Sequence, residues 1–217
     1  MSVITVERKV LEKNDDIARE NRAVFTERGI FVLNLVSSPG SGKTSILEKT
    51  FETLRKTIKI AVIEGDLQTD IDAKRVAAYG VPVVQIETSG GCHLEAGQVR
   101  NAMKELDLDQ TNLLFIENVG NLVCPSGYDL GEAMKVAVLS TAEGDDKPLK
   151  YPSMFRNSSV LIINKTDLIP YVNCDLQAMK GNALKINPFL RIFEISCKTG
   201  EGISEWCDWL SSNGAAK

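Results

Sequence analysis

The chain has 217 residues, 43% of them hydrophobic and 25% charged, with a formal net charge of −4. That length suits one domain with a short appendage, and the acidic balance argues against a general nucleic-acid binder, which needs a basic face. No apolar run approaches the roughly 18 residues of a membrane span, and Met1 to Lys9 lacks the apolar core of a signal peptide, so a cytoplasmic protein is expected, with neither membrane nor nucleic acid as partner.

The chain opens on a polar stretch, 5–28, with Val6, Val10, Leu11, Ile17, Val24 and Phe25 at loosely helical intervals, ending near Gly29. The spacing predicts a helix, or two, with a glycine at the C-terminal cap. Residues 1–29 are therefore read as a helical extension and 30–217 as the main domain. From Ile30 onward, apolar runs near 30–36, 59–64, 82–86, 112–117, 134–139, 159–163 and 190–195 read as buried parallel strands. Helical patterns separate most of them, such as Asp72 to Tyr79, Leu94 to Leu106, Asp175 to Ile186 and, last, Ile203 to Leu210 with Trp206 and Trp209 as core anchors. The alternation predicts an α/β fold, a mostly parallel sheet with right-handed crossovers and helices on both faces. Thr141 to Pro152, with Gly144, Asp145, Asp146 and Pro148, reads as one long irregular loop.

The first run leads into Ser37-Ser38-Pro39-Gly40-Ser41-Gly42-Lys43-Thr44, followed by Ser45 and an amphipathic segment to Leu54. A strand, a Gly-rich turn ending in Gly-Lys-Thr, and a helix form the context of a phosphate loop. Glycines let backbone N–H groups converge on an anion, and the helix directs its positive end at it. Lys43 is placed to reach the terminal phosphates and Thr44 to hold Mg²⁺. Ser37 stands where the motif has its first glycine, a departure at the strand end.

About 120 residues later, the strand Val160 to Ile163 runs into Asn164-Lys165-Thr166-Asp167. Asn-Lys-x-Asp after a buried strand reads guanine, because the Asp carboxylate accepts from N1–H and the exocyclic amine, which adenine does not offer. Ser196-Cys197-Lys198 resembles the second base-contacting loop, with Cys197 packed and not a ligand. GTP is thus favoured over ATP. Asp66 and Asp72, in the acidic segment after the second strand, are candidates for Mg²⁺ and attacking water, with Asp70 read as a solvated charge. Glu117-Asn118-Val119-Gly120 stands where small GTPases carry Asp-x-x-Gly. Gly120 would grip the γ-phosphate and Glu117 reach Mg²⁺, directly or through water. No glutamine occupies the usual water-orienting place, so turnover should be slow.

Five cysteines, at 92, 124, 174, 197 and 207, form no disulfide framework. Cys92-His93 follows the Gly90-Gly91 turn and holds the chain's single histidine; Cys124 lies shortly beyond Gly120. Thiolate and imidazole suit Zn²⁺ or Ni²⁺. Three ligands are too few for a closed tetrahedral site but serve an open one, or one completed across a two-fold axis.

Together these residues resemble the HypB-type GTPases that insert nickel during hydrogenase, and in some organisms urease, maturation. The resemblance spans about 30 to 210 through the phosphate loop, Glu64 to Ala73, Gly-Gly-Cys-His-Leu-Glu-Ala at 90–96, Glu117 to Pro125, Lys-Tyr-Pro at 150–152 and Asn164 to Asp167. It implies a GTP-induced homodimer with an interfacial Ni²⁺ or Zn²⁺ site on Cys92, His93 and Cys124. It implies Mg²⁺ and hydrolysis roles for Asp66, Asp72 and Glu117, beside the Lys43 and Thr44 of the phosphate loop, and a lysine, Lys147 or Lys150, that reaches the partner's guanine. A small nickel or zinc metallochaperone docking in part on the N-terminal helix and the hydrogenase large-subunit precursor are the implied partners. Some members carry an N-terminal Cys-rich or His-rich nickel store. This sequence shows neither, so the GTPase-domain site alone is expected to serve transfer. The rival readings are a GTPase chaperone for another client (urease or a cobalamin-dependent mutase), a switch with structural cysteines, and a P-loop small-molecule kinase.

Overall fold

The computed structural model describes residues 6–66, 71–88 and 90–214, without the side chains of 6–10, 66 and 71. Seven strands form one sheet: β1 (Phe31–Ser37), β2 (Ile60–Asp66), β3 (Val83–Glu87), β4 (Leu113–Glu117), β5 (Met134–Ser140), β6 (Val160–Asn164) and β7 (Arg191–Glu194). Their order is β3-β2-β4-β1-β5-β6-β7, and every pairing is parallel. Each of the seven apolar runs becomes a strand, because a parallel strand is buried on both faces and so reads as an unbroken hydrophobic stretch.

The helices are α1 (Val6–Glu27), α2 (Lys43–Leu54), α3 (Ile71–Ala77), α4 (Ala96–Ala102), α5 (Lys147–Lys150), α6 (Pro152–Arg156), α7 (Leu176–Ile186) and α8 (Ile203–Gly214). Period-two alternation sends Leu33 and Leu35 of β1 to one face, where α2 and α8 supply Phe51, Trp206 and Leu210. On the other face Val32 joins Phe25 of α1 and Val99 of α4, while Val36 joins Met154 and Met179. Between these two clusters the same face carries Asn34, fully buried. Trp206 anchors the first cluster as its spacing predicts, its indole N–H donating to the Thr50 hydroxyl at 3.0 Å. No helix among the described residues is long and apolar enough to cross a membrane.

Two expectations are corrected. The pattern from Leu94 to Leu106 yields only α4 and a 3-10 turn at Met103–Glu105, because Glu95 caps the helix and leaves Cys92 to Leu94 outside it. Thr141 to Pro152 is a chain of short helical pieces: a 3-10 turn at Thr141–Glu143, then α5, then α6. A Ser140–Glu143 capping box starts the turn, and a proline occupies the second position of α5 and the first of α6.

The strand order reverses direction at β1, whose neighbours are β4 and β5. In open parallel sheets the crevice at the carboxyl ends of strands beside such a point receives ligands. The loops after β1, β4, β5, β6 and β7 contribute to it.

Candidate nucleotide and metal site

After β1 the loop turns on Gly40 (φ 75°) and Gly42 (φ 99°), left-handed conformations that glycine adopts without strain. Gly42 also lies so close to Asn164 that a Cβ there would collide with the side-chain amide. α2 starts at once on Lys43, with neither a side-chain cap nor an acidic residue in its first turn. Its first N–H groups are thus left to an anion. Lys43 Nζ donates to the Ser37 hydroxyl at 3.1 Å, and Ser37 Oγ donates to the Ser38 carbonyl at 2.6 Å. The departure from glycine at Ser37 therefore gives the lysine a polar partner within the loop.

The residues of the Asn-Lys-x-Asp motif meet this loop directly. Asn164 Nδ2 donates to the Ser41 carbonyl at 2.9 Å, and Lys165 Nζ to that of Gly40 at 2.7 Å. Lys165 is the one non-glycine residue with positive φ among those described, held by its N–H donating to Asn164 Oδ1 at 2.7 Å. Asp167 accepts from the Ser196 hydroxyl at 2.6 Å. A cavity of about 420 Å³ lies between Gly42, Asn164, Lys165, Asp167, Cys197 and Lys198. Burial pushes the Cys197 thiol up to about 11, so it stays protonated and packs as a small apolar group. A cleft of the same volume, lined by Arg22, Asp129 and Lys135 among others, sits by the start of β5 and holds none of the motif residues.

At the phosphate end, Thr44 Oγ1 donates to Glu117 Oε1 at 2.8 Å, while the buried Oε2 has no protein partner. Burial raises the Glu117 pKa, against the pull of Lys43 and Thr44. A buried carboxylate oxygen left open beside a threonine hydroxyl and the phosphate loop fits a hard divalent cation such as Mg²⁺. Gly120 lies against the loop, where a Cβ would come within 3.0 Å of Pro39 Cα. Asp72 stands on the first turn of α3 in an ion pair with Arg75 at 2.8 Å, and the same guanidinium binds Glu48 at 2.7 Å and Ser45 at 3.2 Å. Asp66 ends β2, but its side chain and the whole of Asp70 lie outside the described residues. Lys147 folds back on Glu143 (3.8 Å), and Lys150 pairs with Asp146 (2.6 Å).

Cys92, His93 and Cys124 come together from two separate loops, with ligand atoms all within 4.8 Å of one another. Cys92 Sγ is 3.4 Å from His93 Nδ1, and His93 Nε2 is buried without a protein partner. Burial lowers the His93 pKa despite Glu95, favouring the neutral imidazole that ligates metal. A hydrogen bond with the Cys124 thiol, with burial, raises the pKa of Cys92, so metal binding there would release a proton. The donor set suits a soft or borderline cation, and its partial exposure leaves room for a further ligand. Cys174 and Cys207 lie outside the group.

The motif reading missed the residues that join these two centres. Asn118 Oδ1 accepts from the Leu94 N–H at 3.1 Å, directly after His93, and its Nδ2 donates to Asn34 Oδ1 at 3.2 Å. Asn34 in turn donates to Glu132 at 3.1 Å. Asn121 donates to the Cys92 carbonyl at 3.4 Å, and the Tyr128 ring packs on His93 with centroids 3.9 Å apart. One signal was available: an asparagine inside the apolar run of β1 must be hydrogen-bonded if buried. On the phosphate side Glu143 was missed as well, accepting from the Ser41 hydroxyl at 2.7 Å.

Residues 31–194 match the family model of the CobW/HypB/UreG nucleotide-binding domain. The hydrogenase maturation factor HypB of Azotobacter vinelandii is 53% identical over 208 residues, 96% of this chain and 69% of that protein. The HypB of Escherichia coli K12 is 50% identical over 214 residues, 99% of this chain and 74% of that one. In three dimensions the chain is similar to a crystal structure of Helicobacter pylori HypB in complex with nickel, with a TM-score of 0.89 and 42% identity, covering 94% of this chain and 95% of the other. Identity at that level over nearly the full length carries more than a shared fold: the chain belongs to the HypB family of hydrogenase maturation factors, P-loop proteins of the CobW/HypB/UreG group.

Proposed function

We propose that this chain is a GTP-hydrolysing metallochaperone that gates nickel delivery during hydrogenase maturation. The observation that carries the reading is the convergence of Cys92, His93 and Cys124 on the loop that follows Glu117 and Gly120, with Asn118 tying the two centres together. A soft-metal donor set attached to a nucleotide-sensing loop has no use in a small-molecule kinase.

The roles follow from the chemistry. The N–H groups of Gly40 to Ser45 and the Lys43 ammonium bind the phosphates, with Lys43 exchanging its hydrogen bond to Ser37 for one to a phosphate oxygen. Asn164, Lys165, Asp167 and the Ser196–Lys198 loop read the guanine. Thr44, Glu117, Asp66 and Asp72 are the candidates to hold Mg²⁺, which would neutralise charge developing on the phosphates. Asp72 orients the attacking water, and Arg75 orients Asp72. Gly120 donates to the γ-phosphate, fixing the loop that carries Asn118 and Cys124. Loss of that phosphate frees the loop, moves Cys124 relative to Cys92 and His93, and weakens the hold on nickel, which is cargo and not a resident cofactor.

The metal site is completed in a GTP-bound homodimer, with Lys147 or Lys150 exchanging its internal partner for the neighbouring nucleotide. In this reading residues 1–29 are an extension of the 30–217 GTPase domain, α1 receives a small nickel or zinc metallochaperone, and the cargo goes to the hydrogenase precursor in the cytoplasm.

Size-exclusion with metal analysis, comparing GDP with a non-hydrolysable GTP analogue, tests this. A dimer with bound metal in one state only is the expected result. Equal nickel affinity in both states overturns the reading, because a ligand that does not discriminate between conformations shifts no equilibrium.

A further inference from the structure

Two asparagines of α1 serve neither nucleotide nor metal in the roles described above. Asn14 and Asn21 are 5% and 1% exposed. Asn14 Oδ1 accepts from the Ala96 N–H at 2.9 Å, and its Nδ2 donates to the Asp129 carbonyl at 2.8 Å. Asn21 Nδ2 donates to the Ala96 carbonyl at 2.9 Å and to the Leu130 carbonyl at 3.0 Å. Each amide thus bridges the same two segments. One is the start of α4, just after Cys92-His93; the other lies a few residues beyond Cys124.

Neither segment has slack between asparagine and ligand. Leu94 N–H is held by Asn118, and Glu95 N–H by Gln98 at 2.8 Å. On the other side the buried Lys135 ammonium donates to the Pro125 and Tyr128 carbonyls, each at 3.0 Å, and Glu132 accepts from the Leu130 N–H at 2.7 Å. The helix also comes as close as backbone allows. Gly131 has φ 95°, and a Cβ there would lie 2.7 Å from Asn21 Cβ and 2.8 Å from the Ala18 carbonyl. Docking alone needs none of this, since Ala18 and Phe25 already bury an apolar face of α1. Burying amides is worthwhile where their bonds fix one geometry.

We propose that α1 is a positioning element of the metal site, in which Asn14 and Asn21 fix the distance between the Cys92–His93 turn and the Cys124 loop. The proposal rests on the reading of Cys92, His93 and Cys124 as the metal site. Any force on α1 then reaches the ligands without touching them.

The test titrates the full chain with Ni²⁺ against a competing chelator, and with Co²⁺, whose thiolate charge-transfer and d–d bands report ligation and geometry. Asn14→Ala and Asn21→Ala are expected to weaken Ni²⁺ binding about tenfold, the usual size of an outer-shell effect, and to shift the Co²⁺ d–d bands. The affinity for a GTP analogue stays at the parental value. Asn14→Leu, close in size and without polar atoms, removes both hydrogen bonds while filling the space and adding no charge, so it separates the clamp from cavity formation; the same loss and spectral shift as in Asn14→Ala are expected. Parental affinity and spectrum in all three variants overturn the clamp, as do equal losses of metal and nucleotide binding. Cys124→Ala is the control for the underlying reading. If it binds Ni²⁺ as the parent does, the metal-site assignment fails; if it loses binding while the asparagine variants keep theirs, the clamp alone fails.

Discussion

At Glu117 a carboxylate is 4% exposed, with one oxygen on the Thr44 hydroxyl and the other without a protein partner. Its pKa in the fold is raised by burial, so the folded chain binds this proton more readily than the unfolded one. The stability it contributes is therefore present in acid and is lost as pH rises through the folded value. Glu117→Gln removes the buried charge. The metal-free, nucleotide-free variant should be more stable than the parent at pH 8 by about 1–3 kcal/mol, the scale for an unsatisfied buried group. The gap should narrow toward acid as the parent carboxyl protonates, while GTP hydrolysis falls steeply. Thermal melts across pH check this, and a gap independent of pH would mean that the carboxylate is not the source. Asp167 makes a simpler case. Its carboxylate faces the cavity beside Lys165 and Cys197, and a charged acceptor contributes about 1.5–3 kcal/mol per hydrogen bond. Asp167→Ala should cost GTP affinity by roughly a hundredfold and abolish the preference over ATP, read by competition with a fluorescent guanine nucleotide.

At the scale of elements, the loop after β4 is the joint between the two centres. Asn118 binds the Leu94 N–H, the Val119 N–H and Asn34 at once, so Asn118→Ala strands three buried polar groups and leaves the phosphate loop intact. The variant should bind a GTP analogue normally, lose about 1–3 kcal/mol of stability, and show a reduced difference in nickel affinity between GDP and analogue states. Calorimetric titration in the two states measures that difference; one that persists at full size would move the coupling elsewhere, to Asn121 or Tyr128. The same loop shows what sequence reading reaches. Phosphate loop, base motif and Cys-His pair were legible because each is a run of adjacent residues whose chemistry is local, and the seven strands because burial on both faces leaves an unbroken apolar run. Asn34, Asn118, Glu132 and the two asparagines of α1 were not, because their partners lie far off in the chain. The helix in 5–28 was legible from the spacing of its apolar residues, which points to none of its asparagines, yet Asn14 and Asn21 are among the most buried of its described side chains. The pieces of 141–152 were readable in part from Ser140 and Glu143, a capping box that prolines and glycines obscured.

At the scale of the whole molecule, the sheet is the common base on which both centres hang, from the carboxyl ends of β1, β3 and β4. β4 carries Glu117 and leads to Cys124, β1 leads into the phosphate loop, and the chain beyond β3 reaches Cys92. Two ligands bound to one such frame obey a constraint that needs no pathway. If exchanging GDP for a GTP analogue changes nickel affinity by some factor, nickel must change the preference between those nucleotides by the same factor. Typical couplings of about 1–3 kcal/mol correspond to roughly 5–150-fold. Nickel should therefore shift the ratio of analogue to GDP affinity by the factor measured in the reverse experiment, at matched protein concentration, since a dimer adds mass action to both measurements. Cys124→Ala should bring both factors to one together, while Asp167→Ala lowers nucleotide affinity for both states and leaves the metal factor standing at saturating nucleotide. Were the two factors unequal in the parent chain at matched dimer content, the two titrations would not be closing one cycle, as happens when nickel also binds at a second place besides Cys92, His93 and Cys124.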